Sequence, residues 1–141
     1  MSNSNISQED LVQTFAFFDN WLDKYQYIID LGKKIQDFPD EYKTSEYKVE
    51  GCQSNVWIKA DYNNQEDKLK FLAISDSAIV SGLIYLLLFI YNNKTPKEIS
   101  ELEPDFINLI GLDKHLSPTR KNGLYAMLNK IKHYAAQNIK E

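Results

Sequence analysis

The sequence is poor in the residue types that build metal and redox centres. Its 141 residues contain one cysteine, Cys52, and two histidines, His115 and His133. A single thiol cannot form an internal disulfide or a redox dithiol, and an iron–sulfur cluster needs about three or four thiolate ligands. The two histidines lie 18 residues apart, which is not the spacing of paired zinc ligands. We therefore predict no resident metal ion and no iron–sulfur cluster.

Arginine and net positive charge are scarce as well. Arg120 is the single arginine among 16 basic residues, and the formal net charge is −4. Without an overall basic field, the composition argues against nucleic acid as a partner. A lone arginine in a lysine-rich chain indicates a position that needs a planar fork of donors, unless composition alone left it there.

No apolar stretch is long enough to cross a bilayer. The longest, Ala78–Tyr91, has 14 residues, whereas a membrane helix needs ~20. This stretch instead predicts a buried central helix. The N-terminal segment MSNSNISQED lacks the basic and apolar regions of a secretory signal. A lone thiol also suits a reducing compartment, so we expect a cytoplasmic protein that does not bind membranes.

The remaining composition is that of a folded domain. Hydrophobic residues make up 43% of the chain and charged residues 26%, both typical of a soluble globular protein. There is no internal repeat, low-complexity segment or linker. The length therefore predicts one domain, residues 1–141, around one core.

Hydrophobic spacing predicts helices in the N-terminal part of the chain. The first helix has an apolar face made of Leu11, Phe15, Phe18 and Leu22. Asp19 or Asn20 interrupts this helix and caps a second one, which ends near Gly32. Two short helices on a common core follow from this pattern.

Strand patterns come next and helical patterns return after them. Three segments alternate apolar and polar residues, around Tyr47–Val49, Val56–Ala60 and Leu69–Ala73. Short turns between them predict a three-stranded antiparallel sheet. Helical patterns then cover Ala78–Tyr91, a segment from Pro96, Pro104–Ile110 and a segment from Pro118. The order predicts an α+β domain with helices packed on one face of the small sheet.

Cys52 lies in the turn predicted between the first two strands. Gly51 permits backbone angles closed to other residues, and Gln53 and Ser54 are poor neighbours for a core. A lone cysteine is otherwise most often a small buried hydrophobe. The turn predicts an accessible thiol, and backbone N–H groups pointing at the sulfur would favour its thiolate.

The neighbours of Cys52 exclude several cysteine chemistries. A cysteine phosphatase places an arginine shortly after its nucleophile, and the six residues after Cys52 contain none. A papain-like hydrolase would need His115 or His133 as its base. We expect both histidines at the surface or half-buried, and therefore rank a hydrolase last. What remains is a thiol that accepts an atom from a partner, as in thiolate attack on a sulfur–sulfur bond.

Three segments of the chain resemble the SufE family. Residues 49–58, VEGCQSNVWI, resemble the active-site motif of that family. Residues 75–84, SDSAIVSGLI, and residues 116–124, LSPTRKNGL, resemble two further segments in the same order and spacing. The likeness runs from about Leu11 to the last helix. It implies a fold similar to that of the IscU-type scaffold proteins.

The resemblance implies a sulfur acceptor of iron–sulfur cluster biogenesis. Cys52 would take persulfide sulfur from a SufS-type cysteine desulfurase, to which the pyridoxal phosphate belongs, and pass it to a SufBCD-type scaffold complex. Gly51, Gln53 and Ser54 would shape the loop that holds the sulfur. The protein would stimulate the desulfurase without turnover of its own, as a monomer or weak homodimer.

Asp76 and Arg120 acquire roles from the same resemblance. Asp76 would help to position the Cys52 loop, unless it simply caps the central helix. Arg120 would lie in the first turn of the last helix, where a cation gains nothing from the helix dipole. That mismatch favours a contact with the partner over an ion pair at the surface or within the chain.

A persulfide meets stray reductants more readily than a thiol does, so we expect an apolar shelter. Trp57, Ala78 and Ile79 are its candidate walls, although Trp57 would equally fit ordinary sheet packing. Two other functions stay open. The domain would either dock on a desulfurase and change its activity with Cys52 incidental, or serve a different desulfurase and pathway as a related acceptor.

Overall fold

The computed structural model describes residues 3–139, with side chains from residue 8 onward. In chain order, two antiparallel strands follow one set of helices and precede another. The first helices are α1 Asn3–Ala16 and α2 Trp21–Gly32, and a 3-10 turn at Asp40–Tyr42 precedes strands β1 Val56–Asn63 and β2 Lys68–Ser75. Five helices follow: α3 Ala78–Tyr91, α4 Pro96–Glu101, α5 Phe106–Ile110, α6 Leu112–His115 and α7 Pro118–Gln137. The predicted α+β order is confirmed.

The strand alternation predicted from the sequence is present in β1 and β2. The strands pair from Val56 opposite Ser75 to Asn63 opposite Lys68. The side chains buried beneath the sheet are Val56, Ile58, Leu69, Phe71 and Ala73. Helix α3 contacts β2 and helix α7 contacts β1, so the two longest later helices cover the sheet.

The sheet has two strands, so the predicted three-stranded sheet is wrong. The expected first strand, Tyr47–Val49, reaches β1 through one isolated bridge, Lys48 to Trp57. The first two N–H groups of this segment bond to the carbonyl of Thr44 in a turn. Gly51, with φ +92°, then turns the chain away again. Two turns so close together leave too few residues for a ladder.

The break between α1 and α2 falls at the polar pair that predicts it. The side chain of Asn20 accepts a hydrogen bond from the N–H of Asp23 at 2.9 Å and caps α2. The break rotates Leu22 away from the face that it was expected to share with Leu11 and Phe15. Leu22 is 79% exposed, whereas the other two are buried.

Helix α3 is the central helix and has the bounds that the sequence predicts. Ser77 caps its first turn by accepting a hydrogen bond from the N–H of Val80 at 3.4 Å. At its other end, the side chain of Asn92 accepts one from the N–H of Phe71 at 2.8 Å and fastens α3 to β2. Within residues 3–139, no helix has the length and apolar character needed to cross a membrane.

Helix α7 brings its first turns beside the loop that carries Cys52. It begins at the Ser117-Pro118 signal, where the Ser117 hydroxyl accepts a hydrogen bond from the N–H of Arg120 at 3.3 Å. The helix packs against α3 and β1. This arrangement places Gly123 next to the sulfur of Cys52.

Candidate functional site

The loop between Val49 and Val56 carries Cys52 and lies against α7. The N–H of Val49 donates to the carbonyl of Val56 at 2.9 Å and closes the loop at its base. Gly51 has φ +92°, an angle that side chains rarely adopt. A Cβ added to Gly51 would lie 3.4 Å from the Cβ of Ala126 on α7. The glycine therefore gives the loop both its turn and its close approach to the helix.

The thiol of Cys52 is half-buried and faces α7. It donates a weak hydrogen bond to the carbonyl of Gly123, with 3.6 Å between sulfur and oxygen. Burial raises the pKa of the Cys52 thiol, because a poorly solvated site disfavours the charged thiolate. The resting sulfur is therefore protonated at neutral pH.

The expectation that backbone N–H groups favour the thiolate is wrong. Over the part of the chain that the structure describes, the hydrogen bond found for this sulfur goes to a carbonyl. A carbonyl accepts from S–H and stabilises the thiol rather than the thiolate. The contacts of the resting sulfur therefore favour the thiol form.

The sulfur of Cys52 opens into a cavity of about 310 Å³ between the loop and α7. The polar part of the lining comes from Gln53, Ser54, Ser117, Thr119 and Arg120. The loop and the start of α7 thus place the predicted residues Gln53, Ser54 and Arg120 around one space. The cavity is much larger than the ~30 Å³ share of one water molecule in liquid, so an added sulfur atom has room.

The apolar walls of this cavity differ from the predicted ones. They are Val80 and Leu83 of α3, with Leu124 and Met127 of α7. Trp57, Ala78 and Ile79 do not line the cavity. Trp57 instead pairs with Ile74 across the two strands, as ordinary sheet packing requires. The signal that could have found the true walls is helical spacing, since Leu124 and Met127 follow Arg120 on one face of α7.

Asp76 holds the end of the Cys52 loop. Its carboxylate accepts hydrogen bonds from the backbone N–H of Asn55 at 3.1 Å and from the side-chain amide of Asn55 at 3.0 Å. The N–H of Asp76 in turn donates to the carbonyl of Asn55 at 3.3 Å. Ser77, not Asp76, caps α3, so the simple capping role is wrong. Asp76 itself does not line the cavity.

Arg120 lies on the cavity lining in the first turn of α7. Its guanidinium lies over the ring of Tyr25, 6.0 Å from the ring centroid. The salt bridges found among the described residues do not include Arg120. The intramolecular alternative is therefore a contact with an aromatic ring rather than an ion pair.

The two histidines lie away from the thiol's cavity. His115 ends α6 and stacks on Trp21, with ring centroids 4.7 Å apart. His133 is exposed on α7. Neither lines the cavity, so no histidine is placed there as a base for a hydrolase. Within the described residues, no group of three His, Cys, Asp or Glu side chains is placed to hold a metal ion.

Comparison with known proteins gives a consistent result over most of the chain. The family model described as SufE, Fe-S metabolism associated domain, matches residues 9–135. An uncharacterized SufE-like protein of Rhizobium meliloti (strain 1021) is 40% identical over 132 residues, which cover 92% of this chain and 94% of that protein. An uncharacterized SufE-like protein of Rhizobium etli is 36% identical over 132 residues, which cover 92% and 89%.

A solved structure shares the fold. The solution structure of a hypothetical protein from Thermus thermophilus superposes with a TM-score of 0.75. The match covers 94% of this chain and 95% of that one, at 19% sequence identity. At this identity the likeness describes the architecture of the helices and strands alone.

Proposed function

The chain belongs to the SufE family, whose domain is associated with Fe–S metabolism, and from this premise we propose that Cys52 accepts sulfane sulfur from a cysteine desulfurase. The desulfurase is of the SufS type and holds the pyridoxal phosphate. A SufBCD-type scaffold complex receives the sulfur in turn. The protein is a carrier that stimulates its donor in the cytoplasm and has no turnover of its own.

The observation that carries this proposal is the setting of the one thiol. Cys52 is half-buried, yet its sulfur faces a cavity of about 310 Å³ with a mixed lining. The lining combines apolar side chains such as Leu83 and Met127 with polar ones such as Arg120 and Ser117. Such a space suits the storage of a reactive sulfur atom that a second protein delivers and collects.

The transfer is a thiolate attack that balances without an oxidant. The Cys52 thiolate attacks the outer sulfur of the donor's persulfide, and a new S–S bond forms as the donor's S–S bond breaks. The donor's cysteine leaves as a thiolate, and Cys52 becomes Cys52–S–SH once protonated. Because burial raises the pKa of the resting thiol, docking of the donor must supply a base or a more favourable environment for the thiolate.

The surrounding residues have separate roles in this proposal. Gly51 turns the loop, and Gln53 and Ser54 line the space beside the sulfur. Asp76 holds the loop through Asn55 and is a positioning residue, since it does not line the cavity. Arg120 contacts the donor protein.

Sulfide release by the partner desulfurase tests the proposal. The desulfurase is mixed with cysteine, a reductant and this protein, and the rate of sulfide release is measured. Wild type should raise the rate, whereas Cys52→Ser should not. A matching thermal melt of the two proteins shows that the difference is chemical. Equal stimulation by the serine variant would rule out the carrier.

Mass spectrometry separates the carrier from a docking regulator. After reaction without reductant, the peptide that contains Cys52 should gain about 32 Da, the mass of one sulfur atom. A module that only changes the activity of the desulfurase would stimulate it without this gain. Repeating the assay with each desulfurase of the cell identifies the donor and tests the related-acceptor alternative.

A further inference from the structure

Gly123 lies inside a helix, where glycine is disfavoured. It is the sixth residue of α7, which has 20 residues from Pro118 to Gln137. Glycine in a helix interior is less favourable than alanine because it loses more conformational freedom on folding. Alanine at this position would therefore be expected to stabilise α7, unless the space beside Gly123 has another use.

Gly82 in α3 shows what a glycine needed for packing looks like. A Cβ added to Gly82 would lie 2.1 Å from the carbonyl oxygen of Ile28, so α2 and α3 meet backbone to backbone. At Gly123, an added Cβ would meet one described atom within 4 Å outside its own helix, the sulfur of Cys52 at 3.6 Å. An alanine side chain would therefore fit at Gly123 without a clash, and its methyl group would lie against the sulfur of Cys52.

We infer that Gly123 lacks a side chain to leave room for the second sulfur on Cys52, an inference that rests on the proposed function. The outer sulfur of a persulfide lies ~2.05 Å from the inner one, inside the cavity that Gly123 lines. The Gly123 carbonyl accepts the S–H of the resting thiol. In the persulfide the inner sulfur carries no hydrogen, so this carbonyl is free to accept the outer S–H.

The variant Gly123→Ala, compared with Asn122→Ala, tests the inference. Asn122 is the exposed neighbour of Gly123 and does not line the cavity, so its alanine variant controls for helix propensity. Persulfide on Cys52 is measured by mass spectrometry in two arms. One arm uses the intact desulfurase with cysteine, and the other uses inorganic polysulfide as a donor that needs no docking.

We expect Gly123→Ala to lose persulfide yield by roughly tenfold in both arms, within the range that overpacking causes. Its melting temperature should equal or exceed that of wild type, because alanine favours the helix. The titration of its thiol, followed by thiolate absorbance, should match that of wild type, because 3.6 Å is an ordinary contact distance. Asn122→Ala should behave as wild type in every measurement.

Each other outcome has a definite meaning. Wild-type yields from Gly123→Ala in both arms would overturn the inference and leave the proposed function standing. A melting temperature well below that of wild type, or a shifted thiol titration, would also overturn it, because alanine would then disturb the fold or the thiol itself. If wild type accepts no sulfur from the desulfurase, the proposed function fails, and the polysulfide arm still measures the room at Gly123.

Discussion

Arg120 and Lys132 are two cations of one helix, α7, in opposite surroundings. The ammonium of Lys132 donates to three carbonyls, those of Ile99, Ser100 and Leu102, at 2.6, 3.1 and 2.7 Å. These carbonyls lie at the C-terminal end of α4. The last carbonyls of a helix lack partners within it, and the negative end of the helix dipole favours a cation there.

Arg120 has none of these advantages. It lies in the first turn of α7, at the positive end of that helix's dipole. Its guanidinium lies over Tyr25, and the hydrogen bonds and ion pairs found among the described side chains, from residue 8 onward, do not include this guanidinium. Lys132 is therefore bound within the fold, whereas the guanidinium donors of Arg120 are unused by the described side chains, which fits the proposed contact with a partner. The first region should respond to mutation in stability, and the second in sulfur transfer.

The largest expected effect comes from Lys132→Met, which keeps the length of the side chain and removes its charge. Two carbonyls at the end of α4 lose a donor, while that of Leu102 keeps the hydroxyl of Tyr91 at 2.8 Å. We expect a loss of about 3 kcal/mol in the free energy of unfolding. Urea unfolding measures it. Sulfur acceptance per folded molecule should be unchanged.

Lys130→Met is the matched control for this prediction. Lys130 lies on the same helix and donates to one carbonyl, that of Glu46, at 3.5 Å. Its loss should change the free energy of unfolding by less than about 0.5 kcal/mol. Equal losses of unfolding free energy in Lys132→Met and Lys130→Met would show that the three carbonyl contacts of Lys132 add no stability. The contrast with Arg120 would then be wrong.

Arg120→Lys is expected to act on the donor protein rather than on the fold. Lysine keeps the positive charge and loses the planar fork of donors. We expect the affinity for the desulfurase to fall roughly tenfold, about 1.4 kcal/mol, with the free energy of unfolding within about 0.5 kcal/mol of wild type. Titration calorimetry and urea unfolding measure the two quantities.

The reverse exchange next door, Lys121→Arg, controls for the Arg120 prediction. Lys121 does not line the cavity, so the exchange should leave both affinity and stability unchanged. If Arg120→Lys lowered stability and left the affinity intact, the ring of Tyr25 rather than a partner would be the purpose of the arginine.

Features set by neighbouring residues were predictable from the sequence. Helix α3 and the starts of α4 and α7 have local caps, such as the reciprocal hydrogen bonds of Thr95 and Glu98. The alternation in β1 and β2 predicted the buried sheet face correctly. Gln53 and Ser54, which were expected in the loop around the sulfur, and Arg120, which was expected to contact a partner, line one cavity. A turn, a helix cap and a sequence motif each depend on residues only a few positions apart, so they can be recognised from the sequence alone.

Features set by distant packing were not predictable in the same way. The predicted third strand does not form, because the turn at Thr44 and the turn at Gly51 lie too close together. The sulfur of Cys52 meets Gly123, which lies 71 residues further along the chain. Two of the predicted walls, Ala78 and Ile79, begin α3, whereas the observed walls are later residues of α3 and residues of α7. Desolvation of the thiol depends on the same packing. The sequence therefore suggested a favoured thiolate, whereas burial raises the pKa of the thiol.

The smallest expected effect is a dependence of the free energy of unfolding on pH that comes from the thiol of Cys52. Burial lowers the pKa of Lys132 and raises that of Cys52, in each case because it disfavours the charged form. Since the folded thiol has the higher pKa, the unfolded chain releases its proton first as the pH rises above the ordinary value of 9.0. The stability of wild type relative to Cys52→Ser should therefore be constant below that pH and decline above it, until the folded thiol ionises too.

Urea unfolding of wild type and Cys52→Ser, from neutral pH to about pH 11, checks this decline. Lysine and tyrosine side chains titrate in the same range, but both proteins contain them, so their effect cancels in the difference. The charge of Lys132 has three carbonyl partners, whereas the thiolate of Cys52 has no donor among the described contacts. A difference that stays flat would mean that the folded sulfur is as well solvated as the unfolded one, and the cavity would then be no shelter at all.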